Sequence, residues 1–135
     1  MEKQTSVFLA FEGFGSDPTV VTEMVGVEPT LSYGEGEVVQ RAGRDFTAPR
    51  ASWILRSPLE KAAAQEDLID ALLDVLEPHA DGVRKATELY VGGIVVGRTS
   101  DDHHWGYHLT RRAVQRIAAL NLAVDTDIYL WANAR

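Results

Sequence analysis

The sequence predicts an α+β fold: a two-layer sandwich with a mainly antiparallel sheet and helices on one face. Three observations lead there. Residues Thr5 to Glu12 alternate, with Val7, Leu9 and Phe11 on one side and Ser6, Phe8, Ala10 and Glu12 on the other, the period of a half-buried strand. Residues Gln65 to Leu76 instead carry Leu68, Ile69, Leu72, Val75 and Leu76 as an apolar stripe, the period of a helix packed on a core. Strand-like and helix-like segments then follow one another as β-α-β-β-α-β-α-β. The first six match a ferredoxin-like β-α-β-β-α-β unit, and the C-terminal α-β pair extends it by a second, right-handed crossover.

Each element has its own signals. After the first strand, Gly13 to Ser16 turn the chain. Asp17-Pro18 opens a helix over Thr19 to Val25, an acidic cap followed by proline in the first turn. Gly26 closes that helix in the left-handed conformation. Val27 to Thr30 leads away extended, because a residue before proline avoids the helical region. Tyr33-Gly34-Glu35-Gly36 is a turn, and Glu37 to Gln40 reads as a strand. Ala42 to Pro49 reads as a polar connection, and Ala51 to Ser57 as the second arm of a hairpin. Ser57-Pro58-Leu59-Glu60 has the pattern of a capping box opening a helical stretch. The helix Gln65 to Leu76 ends at Glu77-Pro78, with a further helical turn over Asp81 to Thr87. Leu89 to Val96 is the most apolar strand, followed by a loop over Gly97 to Tyr107. Thr110 caps a helix from Arg111 to Leu120, Asn121 ends it, and Ala123 to Trp131 is the last strand.

The chain has 135 residues, which fits a single globular domain over residues 1–135. It has no cysteine, which excludes a disulfide scaffold, a thiolate zinc site and a cysteine nucleophile. No run approaches the ~18 apolar residues of a membrane span. The run from Val7 to Phe11 is too short and too strand-like for a secretion signal. A soluble cytoplasmic protein is expected. Net charge is −7, from 20 acidic and 13 basic residues. That balance disfavours nucleic acid and membrane surfaces and suits a basic protein partner.

Asp17-Pro18-x-x-Val21-Thr22 before Gly26-x-x-Pro29 is one motif. Trp53-x-Leu55-x-Ser57 before an acidic-apolar helix is a second. Gly106-x-x-Leu109-Thr110 before a helix, then Leu122 to Asp127-Ile128-Tyr129, is a third. In this order and spacing they resemble the bacterial domain-of-unknown-function family 4279, over about Val7 to Tyr129. The resemblance implies the fold and carries no reaction, cofactor or active-site residue with it.

Four groups of residues invite a chemical reading. The last strand places Asp125, Asp127, Tyr129 and Trp131 on the face away from the helices, where Trp53 or Arg56 joins them according to register. Two carboxylates ~7 Å apart along a strand, with rings beside them, suit ligand binding or acid-base chemistry, a dimer interface, or simply a polar outer face. The helix Gln65 to Leu76 carries Glu66, Asp70 and Asp74 at i, i+4 and i+8 with no base inside it. That stripe reads as a docking face for a basic protein, or as charge balanced by Arg111, Arg112 and Arg116 nearby. Asp102, His104 and His108, with His103 beside them, have metal-ligand chemistry, but a solvated polar loop explains them as well. Gly34-Glu35-Gly36 lacks the third glycine and the following helix of a dinucleotide loop.

The reading that joins these observations is a non-enzymatic protein-interaction module of immunity-like kind: a small acidic domain neutralising a basic toxin domain. No cofactor is expected. Three alternatives stand beside it: a small-ligand binder or enzyme on the open sheet face, a metal-binding protein through residues 101–108, and a homodimer through the open face.

Overall fold

The structure, a computed structural model, describes residues 4–41, 43–59, 63–100 and 108–130. It is an α+β fold built on a mixed five-stranded sheet. The sheet strands are β1 (Gln4–Glu12), β2 (Leu31–Tyr33), β5 (Ser52–Arg56), β6 (Val91–Ser100) and β7 (Ala123–Leu130). Their order across the sheet is β2-β5-β1-β6-β7. Strand β1 pairs antiparallel with both β5 and β6, β2 pairs antiparallel with β5, and β7 runs parallel to β6. The helices are α1 (Thr19–Val25), α2 (Gln65–Leu76), α3 (Ala80–Leu89) and α4 (Arg111–Ala119), with a 3-10 turn over Glu77–His79 joining α2 to α3.

The alternation of β1 sets the inside. Val7, Leu9 and Phe11 are buried, and the register of the sheet brings Leu55 and Trp53 from β5, with Ile94 and Val96 from β6, onto the same face. All four helices contribute buried side chains to that one core: Val21 and Val25 from α1, the Leu68-Ile69-Leu72-Leu73-Leu76 row from α2, Val83 and Ala86 from α3, and Ala113 and Ile117 from α4. The Phe11 and Trp53 rings meet edge to face at 5.8 Å, a contact worth about 0.5–1.5 kcal/mol beyond area burial. Trp53 Nε1 donates to Thr22 Oγ1 at 2.9 Å, so burying the indole leaves no orphan donor.

Helix ends follow the signals in the chain. Asp17 Oδ1 accepts from Thr19 N at 3.0 Å and from Thr19 Oγ1 at 2.8 Å, which holds the Asp17 carboxyl below its usual range. Gly26 is left-handed at φ 82° and donates its N–H to Thr22 O. Thr110 Oγ1 accepts from Ala113 N. Asn121, the one non-glycine residue with positive φ among those described, ends α4 and donates from Nδ2 to Thr87 Oγ1.

Several sequence expectations are corrected. The segment expected to pair with β5 does not. Instead β3 (Val38–Arg41) pairs with β4 (Arg44–Thr47) in a separate two-stranded sheet turning at Gly43, φ 76°. The partner of β5 on the side away from β1 is the three-residue β2, of which only Tyr33 falls in the segment that reads as a turn. The polar β4 hid because Arg44-Asp45-Phe46-Thr47 offers one apolar side chain. Ser57 caps no helix among the described residues; its Oγ donates to Leu68 O at 2.7 Å, and Glu60 lies outside the described residues. The turn expected after Pro78 is a full helix, α3. Leu89 belongs to it, and β6 begins at Val91 and runs through Gly97 to Ser100.

Helix α3 packs on α1 at unusually close range. A Cβ on Gly82 would stand 2.1 Å from Met24 O and 3.3 Å from Val25 Cα. Helix propensity alone favours alanine over glycine by about 1 kcal/mol. Gly82→Ala is therefore expected to change stability in the opposite direction, by a loss of roughly 1–3 kcal/mol from overpacking. Equilibrium urea denaturation reads the sign directly.

Candidate interaction surface

The sheet face opposite the helices is built by the other half of the same alternation. Ser6, Phe8 and Ala10 of β1 stand beside Gly97, Val95 and Gly93 of β6, and Phe8 and Ala10 beside Arg56 and Ile54 of β5. Parallel pairing continues the rows onto β7, where Val95 meets Asp125 and Gly97 meets Asp127. One row thus reads Arg56, Phe8, Val95, Asp125 across four strands. It spans about 14 Å at the usual strand spacing.

The two ends of this face differ. Over β2 and β5 it is roofed by the β3-β4 hairpin. Val39 and Phe46 face Leu31, Tyr33 and Ile54 around a small apolar cavity of about 100 Å³, and the Tyr33 and Phe46 rings meet edge to face at 6.5 Å. Over β1, β6 and β7 no described element lies on it. Phe8, Ala10 and Val95 are half-buried there, and Asp125 and Asp127 are exposed. Glycine at 93 and 97 lowers the surface on either side of Val95. A Cβ at 97 would stand 2.8 Å from Ser6 Oγ, and one at 93 would stand 3.0 Å from Ala123 O. The result is an apolar ridge of Phe8 and Val95, with a cation at one end and two carboxylates at the other.

The structure places the expected site residues unequally. Asp125, Asp127 and Arg56 lie on this face. Tyr129 occupies the β7 position opposite Thr99, and Trp131 lies outside the described residues. Trp53 is corrected: its register partner is Phe11, and it is fully buried in the helix-side core. It cannot join the open face, because one residue along a strand reverses the side. Phe8 and Val95, which make the ridge, are the residues the sequence reading missed as site residues. Phe8 was legible as an aromatic on the polar side of β1.

The acidic stripe on α2 already has a basic partner within the chain at two of its three residues. Arg116 of α4 reaches across to it, with Nη1 on Asp70 Oδ1 at 3.2 Å, Nη2 on Asp74 Oδ1 at 2.6 Å, and Nε on Glu77 Oε2 at 2.8 Å. The Arg116 side chain is only 11% exposed, and Asp74 is 72% exposed. Of the three stripe residues, Glu66 stays outside this cluster. The cluster ties α2 to α4 and so has a structural use that the sequence left as an alternative. The hydrogen bond from Arg116 holds the Glu77 carboxyl below its ordinary value of 4.5, against a smaller opposing effect of burial, and the arginine is pushed up in turn.

For the metal reading, Asp102, His103 and His104 lie outside the described residues, and His108 is exposed. No group of three or more potential metal ligands occurs among the described residues. Gln65 Nε2 donates to His108 O at 3.1 Å beside a depression of about 290 Å³ lined by Ala64, Gln65, Glu66, Arg98 and His108. A broader depression of about 530 Å³ lies near the Gly13 to Ser16 turn, where Arg50 pairs with Glu12 at 3.4 Å. Gly34-Glu35-Gly36 adjoins it as a turn closed by the Glu37 N–H donating to Gly34 O. Among the described residues, no helix is long and apolar enough to cross a membrane.

The architecture and this surface define a class: a small α+β domain with helices on one side of a mixed sheet and a mixed apolar and acidic surface on the other. The family profile described as Domain of unknown function (DUF4279) matches residues 3–131, and the chain belongs to that family. No curated protein and no solved structure matches it.

The Arg116 cluster makes a signed prediction. The Glu77 pKa is depressed on folding, so its stabilisation is complete above the ordinary value and is lost as pH falls through the folded value. Arg116→Met is expected to cost about 1–2 kcal/mol at pH 7, given the exposure of its carboxylate partners. It should also flatten the loss of stability below about pH 4.5. Urea titrations of both proteins from pH 7 to pH 3 check both parts.

Proposed function

We propose that this domain is a non-enzymatic protein-interaction module, immunity-like in character, that docks a basic protein on the uncovered part of its sheet. The observation that carries the reading is the surface itself. Phe8 and Val95 stand half-buried with no described element over them, and Asp125 and Asp127 stand exposed beside them. A net charge of −7 favours encounter with a basic partner, and an apolar centre with a charged rim is the usual anatomy of an interface. Docking therefore moves from the α2 stripe, where Arg116 already engages two of the three carboxylates, to the sheet.

The small-ligand reading has less support. The cavity beneath the hairpin is about 100 Å³, below the roughly 300 Å³ of ordinary ligand pockets. We read the scaffold as a ferredoxin-like β-α-β-β-α-β unit with α4 and β7 appended. The antiparallel order β6-β1-β5-β2, joined by helices between β1 and β2 and between β5 and β6, supports that reading. A cytoplasmic location belongs to the same proposal and rests on the cysteine-free composition.

The test is cross-linked capture from cells that make the protein, read by mass spectrometry. The wild type and Glu66→Lys should retain the same basic partner. Val95→Lys and the double change Asp125→Lys with Asp127→Lys should lose it while melting within a few degrees of wild type. Equal capture by all four proteins would sink the proposal.

A further inference from the structure

The β3-β4 hairpin covers β2 and β5 without sealing them. Tyr33, Val39, Phe46 and Ile54 are half-buried and Leu31 is 36% exposed, and none of the five belongs to the main core. With the exposed Gln40 they line the apolar cavity of about 100 Å³. A water takes about 30 Å³ in the liquid and needs two to four polar partners to be held. A space this poor in polar groups therefore favours carbon over water, and it has room for roughly three or four heavy atoms. That is the size of one leucine or isoleucine side chain. The dimension that disfavours a free small-molecule ligand is the one that suits a single anchor residue. Binding energy concentrates where a side chain fills a desolvated pocket of this kind.

The cavity adjoins the uncovered face. Ile54, one of its walls, begins a row that runs Ile54, Ala10, Gly93, Ala123 across four strands. The side chains beyond Ile54 are small, so the sheet is low there, and the Phe8 and Val95 ridge borders the row on one side. Asp125 stands two residues further along β7. Neither Asp125 nor Asp127 has an ion-pair partner among the described residues. Three strand spacings and two residues of rise put Asp125 about 16 Å from Ile54. An extended segment covers that span in about five residues.

We infer that the partner of the open face seats one aliphatic side chain, leucine or isoleucine, beneath the β3-β4 hairpin and carries lysine or arginine about five residues away, over Asp125 and Asp127. This deepens the interaction reading proposed above and rests on it. The cavity selects the anchor by size, the two carboxylates select charge, and the distance between them selects spacing. Two weak contacts joined by a segment of matching length bind more tightly than either alone.

The probes are N-acetyl-leucine methylamide and the capped octapeptide Leu-Gly-Ser-Gly-Ser-Lys-Gly-Lys, titrated into the whole domain at low salt and followed by methyl and amide NMR shifts. The leucine fragment should shift the methyl signals of Leu31, Val39 and Ile54. The octapeptide should shift these and the amides of Asp125 and Asp127, and bind roughly two- to tenfold more tightly, the gain from two exposed ion pairs. Asp125→Asn combined with Asp127→Asn should remove that gain and leave the fragment unaffected. Leu-Lys-Gly-Lys-Gly-Ser-Gly-Ser has the same composition with the lysines moved beside the leucine, and it should bind more weakly than the first octapeptide. Val39→Phe from the hairpin side and Ile54→Phe from the sheet side each fill the cavity and should exclude the fragment. No shift beneath the hairpin, equal binding of the two octapeptides, or fragment binding that survives both cavity-filling substitutions would overturn the inference. Shifts at Leu31 and Ile54 that track protein concentration without any probe would give the cavity to a second copy and overturn it as well. Failure of the broader reading looks different. If the captured basic partner is retained by Val39→Phe and Ile54→Phe but lost with Val95→Lys, the open face stands and the anchor does not. If the octapeptide binds as expected and Val95→Lys captures like wild type, the anchor stands and the Phe8 and Val95 centre does not.

Discussion

The structure depends on the alternation of β1 and on its position between β5 and β6. A strand paired on both sides has its side chains sorted to two faces with no freedom of register, because a slip of one residue would carry Val7, Leu9 and Phe11 to the wrong side. That constraint fixes where Trp53 goes, since it stands opposite Phe11. It also explains Gly92, where a Cβ would lie 2.2 Å from the Phe11 ring. The helices then have one face to cover. Their apolar rows meet the same buried set, and the other face is left with Phe8, Val95 and the small residues between.

Function-bearing chemistry follows from that division. The helix side is consumed by packing and by the Arg116 cluster, which converts a run of like charges on α2 into a clasp between two helices. Like charges at helical spacing are unfavourable alone, and a largely buried guanidinium with three carboxylates around it reverses the sign. On the open side Glu12 is paired with Arg50 while Asp125 and Asp127 have no ion-pair partner among the described residues, and one part is already roofed by the β3-β4 hairpin. The two acidic regions thus resemble each other in sequence and differ in what answers them in space.

Much of this was legible in the chain. The helix over Gln65 to Leu76, the Thr110 cap, the Gly26 and Asn121 terminations and the orientation of Asp125 and Asp127 all come from local rules of period and capping. What was not legible depends on contacts distant in sequence. Strand β2 has three residues and no alternation to detect, so it exists because β5 offers it an edge. Strand β4 is polar and pairs through a hairpin turn at Gly43. Trp53 has no local signal that distinguishes core from open face until its register with Phe11 is known. The Arg116 cluster required knowing that α4 lies beside α2, which only the fold can supply.

Strand β1 sits in the middle but precedes both of its neighbours in the chain: β5 begins at Ser52 and β6 at Val91. Closing such distant pairs is slow relative to local helix formation. While the ribosome is still adding residues, Val7, Leu9 and Phe11 therefore have nothing to pair with. The strand destined for the deepest place in the fold thus precedes both of its partners, and a nascent chain halted before β6 would carry β1 with one edge unpaired.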